Sequence, residues 1–193
     1  MKIRIFDFCD TLVVGQTANN FIYFILNETD TTWIQKLIAG LTKVIPIDIF
    51  NFKKKILLLT IRGIQRSKIE NLSRKYSKTL ATNKKIYSIY KKSLINDVTI
   101  IASGGYYTYI KNFIKNSNVK ILANEFKYNK NSKFTGFLKS KDCLGKEKSK
   151  RILKLKLNLK NSYFYSDSLT DLPSFNLVKY PYFFNKNKLK KLF

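Results

Sequence analysis

This chain of 193 residues sets 12 acidic residues against 37 basic ones, and four of the acids fall where they can do chemistry. Asp7 and Asp10 follow the apolar positions Ile3, Ile5 and Phe6, and Asp167 and Asp171 follow the run from Ser162 to Ser166. Paired carboxylates suit a hard cation such as Mg2+, which takes oxygen ligands and keeps several waters. A carboxylate beside such an ion can also accept a phosphoryl group as an aspartyl-phosphate. Ser103, after Val98–Ala102, and lysines near the site are the residue types that steady transferring oxygens. Asp and Ser also serve as helix caps. That alternative suits Asp10 and Thr170, whereas Asp7 and Asp167, ending apolar runs, read as metal-binding or catalytic. The chain has no histidine, which excludes imidazole chemistry and His-based zinc sites. Acid–base work falls to carboxylates, lysines, tyrosines, or the thiols of Cys9 and Cys143. Two cysteines so far apart make no disulfide scaffold.

The elements that must hold these residues alternate. Lys2–Phe8, Val98–Ala102, Val119–Ala123, Ser162–Ser166 and Tyr180–Phe184 read as strands. Helices are expected over Tyr106–Lys115, over about 146–157, after Thr170 and at the C-terminus from Asn185, with a hairpin across Phe126–Leu138. Strand–helix alternation argues for a parallel sheet with right-handed crossovers, whose site lies at the carboxyl ends of the strands. Between the first two strands the grammar is helical throughout. Phe21, Phe24 and Ile25, then Trp33, Leu37, Ile38 and Leu41, recur at three- and four-residue intervals. Asp30–Thr32 caps the second of these helices and Pro46 breaks it. Asp48–Gly63 and Ser67–Leu80 read as two more. The reading is therefore an α/β, Rossmann-like core (1–14 and 93–193) with an inserted all-helical cap (15–92). Gly104 and Gly105 place backbone N–H groups at a helix start, where phosphate binds. Tyr106, Tyr107 and Tyr109 read either as pocket lining or as half-buried helix residues.

The formal net charge of +25 points to polyanions: nucleic acid, an anionic membrane surface or a phosphorylated substrate. Arginine occurs only at 4, 62, 66, 74 and 151, and the lysine-, asparagine- and isoleucine-rich remainder matches an AT-rich coding bias. Without arginine forks or stacked aromatics, nucleic acid is not the expected partner. In the segment Phe50–Ile64, lysines 53–55 beside Ile56–Leu59 allow a peripheral membrane contact, against the alternative of a helix packing within the cap. No run of apolar residues is long enough to span a membrane, and Asp7 and Asp10 interrupt the N-terminal run before it could serve as a signal peptide. A cytoplasmic protein is expected.

Four motifs in order resemble the haloacid dehalogenase-like (HAD) superfamily, in particular its phosphoserine-phosphatase-like branch. Asp7-Phe8-Cys9-Asp10-Thr11-Leu12 is similar to the first motif, DxDxT, and Ser103 to the second. Cys143, Gly145 and Lys148 meet the third, C-x-G-x-x-K, which favours Lys148 over Lys146. Asp167-Ser168-Leu169-Thr170-Asp171 is similar to the fourth, DSxxD. The resemblance implies a Mg2+-dependent phosphatase acting on a small phosphorylated metabolite such as a sugar or polyol phosphate. It makes Asp7 the nucleophile and a metal ligand, with Asp167 and the backbone carbonyl of Cys9 as further ligands. Asp171 supports the metal shell or orients Lys148. Thr11, Ser103, Gly104 and Lys148 meet the substrate, and the insertion matches a C1 cap that selects it. One departure stands out: Cys9 occupies the position of the family's general acid and base. A thiol can donate a proton but orients water less well than a carboxylate. Three functions stand side by side: a phosphatase, from the four motifs; a phosphotransferase or slow phosphatase-like protein, from Cys9; or a non-catalytic binder of anionic membrane or nucleic acid, from the basic surface.

Overall fold

The computed structural model describes residues 1–44, 52–185 and 188–193. From the N-terminus, strand β1 (Ile3–Phe6) leads into helices α1 (Thr17–Asn27), α2 (Trp33–Leu41), α3 (Phe52–Thr60), α4 (Arg66–Ser77) and α5 (Lys84–Asn96). Then come β2 (Val98–Tyr106), α6 (Tyr107–Ile114), β3 (Lys120–Asn124), the hairpin of β4 (Phe126–Tyr128) and β5 (Phe134–Leu138), and α7 (Gly145–Leu153). The chain ends with β6 (Ser162–Ser166), α8 (Leu172–Phe175), β7 (Tyr180–Asn185) and β8 (Lys188–Lys191). The main sheet runs β3-β2-β1-β6-β7-β8, parallel throughout except for β8. This is an α/β, Rossmann-like architecture. Among the described residues no helix is long and apolar enough to cross a membrane.

β1 is central because both its faces are apolar, as a strand covered on two sides requires. Ile3 and Ile5 pack with Ile100, Phe164 and Phe175 on one face, while Phe6 joins Ile101 and Tyr165 on the other. The second cluster continues without a break into Phe21, Ile25, Leu57, Leu72 and Tyr76 of the intervening helices. One hydrophobic core thus joins sheet and cap. Thr32 caps α2 through a reciprocal pair with Gln35, satisfying two N-terminal donors. Pro46 and the first residues of the expected Asp48–Gly63 helix lie outside the described residues; Phe52–Thr60 forms α3, and the last three residues belong to the turn that follows.

The hairpin β4–β5 docks on the turn between α3 and α4. The Gly63 N–H donates to the Phe134 carbonyl (2.8 Å) and the Phe134 N–H to the Ile64 carbonyl (2.9 Å). Gly63 has φ +89°, which explains glycine at this turn.

One expected element is different. The helix anticipated from Asn185 is instead the strand β8, antiparallel to β7. Lys-Leu-Lys-Lys alternates, with Leu189 packing against the core and the lysines outward. Only the strand period puts its single apolar residue on the sheet, and a lysine-rich strand suits an exposed edge.

Candidate active site

β1, β2 and β6 end side by side, and the residues just beyond them line a cavity of about 330 Å³. Asp7, Cys9, Ser103, Lys148, Asp167 and Asp171 all face it. They come from four segments of the chain, brought together because parallel strands deliver their carboxyl ends to one edge.

Lys148 is the centre of the arrangement. Its side chain is fully buried, and its ammonium lies 3.0 Å from Asp7 Oδ2 and 2.5 Å from Asp171 Oδ2. Burial disfavours the charge, but Asp7 and Asp171 outweigh it and raise the Lys148 pKa above the ordinary lysine value. Lys146, two residues earlier, is exposed. Ser166 donates to Asp171 Oδ2 (2.7 Å) and reaches Asp7 Oδ2 at 3.5 Å. The Phe8 N–H donates to Asp7 Oδ1 at 2.7 Å, so both carboxylate oxygens of Asp7 are oriented.

Asp167 is held by Thr11, whose hydroxyl donates to Oδ1 (2.7 Å) and accepts the Asp167 N–H (2.9 Å). Thr11 was expected at the substrate. It is fully buried behind Asp167 and positions that carboxylate instead. Burial and then the charge of Asp7 push the Asp167 pKa up to about 6. The same two causes, opposed by Lys148, push Asp171 to about 6. Asp7 and Asp171 thus share the Lys148 ammonium, Asp167 is held by Thr11 rather than by a cation, and Asp171 Oδ1 is buried without a hydrogen-bond partner. The cluster is short of positive charge.

Cys9 Sγ lies 2.8 Å from the Thr17 hydroxyl, with Ser103 Oγ and Tyr109 OH at 3.9 and 4.0 Å. Burial, then Asp7, raises its pKa, so the thiol keeps its proton. Asp10 does not replace it. At φ +52° its carboxylate turns back to accept the Gly15 N–H (2.7 Å) and the Gln16 side-chain amide, closing the loop after β1. Tyr106 and Tyr109 are core residues, and the Tyr109 hydroxyl pairs with Thr17 at 2.9 Å.

Ser103 Oγ accepts the Gly105 N–H (3.1 Å), which takes that donor away from a bound phosphate. Gly104 lines the cavity, and a Cβ there would sit 2.5 Å from Leu144 Cδ2. Its carbonyl accepts from Lys54 (2.7 Å) and Asn124 (2.8 Å). Lys54 also pairs with Asp142 at 2.7 Å, tying α3 to the second strand end.

Sequence reasoning missed Lys54, Asp142, Asn124 and Ser166. It also missed Asn83, whose amide donates to the Asp10 and Thr11 carbonyls (3.0 and 2.8 Å) and pins the loop after β1. Apart from Ser166, which lies five residues before Asp171, these are single polar residues whose partners lie far away along the chain, so spacing carries no sign of them. Gln16, Asn19 and Lys53 complete the wall from the helical side.

Comparisons with known proteins agree with this fold. Residues 5–176 match the family model of the haloacid dehalogenase-like hydrolases. No curated protein matches the chain in sequence. Among solved structures, a protein of unknown function from Bordetella pertussis superposes with a TM-score of 0.71 at 15% identity, over 93% of this chain and 88% of that one. A phospho-aspartyl intermediate analogue of phosphoserine phosphatase gives 0.59 at 19%, over 93% and 84%. A HAD family hydrolase from Salmonella enterica gives 0.59 at 15%, over 92% of this chain; the chain spans 60% of that protein's length. With the family model covering most of its length, the chain belongs to the haloacid dehalogenase-like hydrolase family.

Proposed function

We propose that the protein is a phosphatase that hydrolyses a small phosphorylated metabolite, a sugar or polyol phosphate being the class in view, through an aspartyl-phosphate on Asp7. The observation that carries this reading is the Asp7 carboxylate held between Lys148 and the Phe8 N–H, facing a cavity with Ser103 opposite. A phosphoryl group there would have Asp7 as its in-line nucleophile. Lys148 and Ser103 would hold its oxygens.

The donor set fits Mg2+. The carboxylates and the unpartnered Asp171 Oδ1 call for a cation, and the Asp7 and Asp167 side chains that line the cavity offer it hard oxygens. Among the described residues no three acidic or thiol side chains converge as a metal cluster. Asp7 and Asp167 would therefore hold the ion with the Cys9 carbonyl and waters, and Asp171 would support that shell. When bound, Mg2+ supplies positive charge at the phosphoryl oxygens.

In the first half-reaction a carboxylate oxygen of Asp7 bonds to phosphorus and the bond to the leaving alcohol breaks. The Cys9 thiol, which lines the same cavity, would donate the proton that the leaving oxygen needs. In the second half-reaction water attacks phosphorus, its proton passes to the thiolate, and Asp7 is released. The half-buried thiol can donate in the first half, but it accepts weaker hydrogen bonds than a carboxylate and orients the attacking water less well in the second. That supports a second reading, in which the phosphoenzyme persists and an alcohol other than water takes the phosphoryl group.

Steady-state phosphate release from a panel of phosphorylated sugars, polyols and hydroxy acids, with and without Mg2+, tests the proposal. Release that requires Mg2+ and vanishes in Asp7→Asn is expected. No release from any member of the panel, with intact fold, would count against hydrolysis.

A further inference from the structure

α2 is packed inside out. Its small residues Ala39 and Thr42 face the protein at 3% and 1% exposure, while Trp33, Ile34, Leu37, Ile38 and Leu41 stand 40–72% exposed. Val44, just past the helix, is 79% exposed. The five helical residues cover an arc of about 140° in projection. Lys36 and Lys43 are exposed along the flank of that arc. A helix whose only task is to fill a cap would turn this face inward. An exposed apolar face on the order of several hundred Å² marks an interaction surface.

The neighbouring elements add to it. α2 packs on α3, which exposes Phe52 and Leu59, and β5 exposes Phe137. These three line an apolar groove of about 730 Å³ whose wall also carries Lys55 and Lys141. Of the segment Phe50–Ile64, the described part forms α3, which buries Leu57 and Leu58 in the core. The exposed apolar surface is centred on α2.

Charge selects among occupants. A second copy would bring another chain of net charge +25 against the same lysines, and like charges oppose that contact. An anionic bilayer is complementary to it. Tryptophan and branched aliphatics on one face, with lysines beside them, form the pattern that seats a helix at the boundary between headgroups and acyl chains. We propose that α2 docks the protein on anionic membrane, with Trp33, Leu37 and Leu41 entering the acyl boundary and Lys36 and Lys43 meeting lipid phosphates. This surface stands independently of the chemistry at Asp7.

Trp33 is the only tryptophan in the chain, so its fluorescence reports this face alone. The test titrates the full-length protein with vesicles of phosphatidylcholine containing phosphatidylglycerol. A blue shift and quenching by acyl-brominated lipid are expected, with much weaker binding to phosphatidylcholine alone. The triple substitution Leu37→Ser, Ile38→Ser and Leu41→Ser should weaken partitioning by more than about tenfold. All three side chains are exposed, so the fold should persist by circular dichroism. If it does not, quenching of the wild type still decides. No blue shift at low salt, binding without brominated-lipid quenching, or undiminished binding of the folded triple variant would overturn the proposal. So would a blue shift that grows with protein concentration in the absence of vesicles, which would indicate self-association.

Discussion

Replacing Lys54 by Met removes the ammonium that joins α3 to the Gly104 carbonyl and to Asp142, while keeping most of the aliphatic stem. The Lys54 ammonium has acceptors at 2.7 Å (Gly104 O) and at 2.9 and 2.7 Å (the two Asp142 oxygens). The pair is largely shielded, with side chains 10% and 17% exposed. Breaking a buried pair on one side costs about 3–5 kcal/mol, because the other charge is left uncompensated. Asp142 keeps some water and the Asn124 amide at 2.6 Å, so the expected loss is nearer about 2–4 kcal/mol. Asp142→Asn, which retains an acceptor, should cost about 1–2 kcal/mol. Urea unfolding of the two single variants and the double gives the coupling energy, expected above about 1 kcal/mol. A coupling below about 0.5 kcal/mol would mean that solvent screens the pair and that the apolar core alone joins cap to sheet.

Three further outcomes follow. Cys9→Asp restores a carboxyl beside the Thr17 hydroxyl and should raise phosphate release about ten- to a hundredfold, less than a general acid–base residue can give because Asp7 is near; unchanged or lower release would refute the role given to position 9. Asp167→Asn should stabilise the metal-free protein by about 1–2 kcal/mol at pH 8, since the folded pKa of about 6 lies above the ordinary carboxylate value and penalises the charged form. That gain should shrink as pH falls through 6 and vanish near the unfolded pKa of about 4, and Mg2+ should no longer stabilise this variant; a loss of stability at pH 8 would contradict it. Burial lifts the Cys143 thiol to about 11 and also raises Cys9, so a maleimide at pH 8 should label the native protein far more slowly than the urea-unfolded chain; rapid labelling of both thiols would show that the site is open.

The sheet was legible because its strands are short apolar runs ending in turn residues, and acids beyond β1 and β6 mark the edge where a site forms. The helices between β1 and β2 were legible from three- and four-residue spacing in Phe21, Ile25 and their successors. The C-terminal strand was not, because Lys188–Lys191 holds one apolar residue and four positions do not separate a period of two from one of 3.6. At the site, motif spacing located the acids and lysine but not the direction of Thr11, which depends on a hydrogen bond to Asp167 across 156 residues. The Lys54–Asp142–Asn124 network was invisible for the same reason. Spacing also misled at α2, where a helical apolar pattern implies burial and the structure exposes it.

The central claim is that Asp7 takes the phosphoryl group. Rapid acid quench of the Mg2+-loaded enzyme during turnover of its best substrate, followed by peptide mass spectrometry, tests this most directly. A phosphoryl adduct on the peptide carrying Asp7, accumulating in the wild type and diminished in Cys9→Asp, is the predicted result. Phosphate release that persists in Asp7→Asn, or turnover with no adduct on that peptide in either protein, would contradict it.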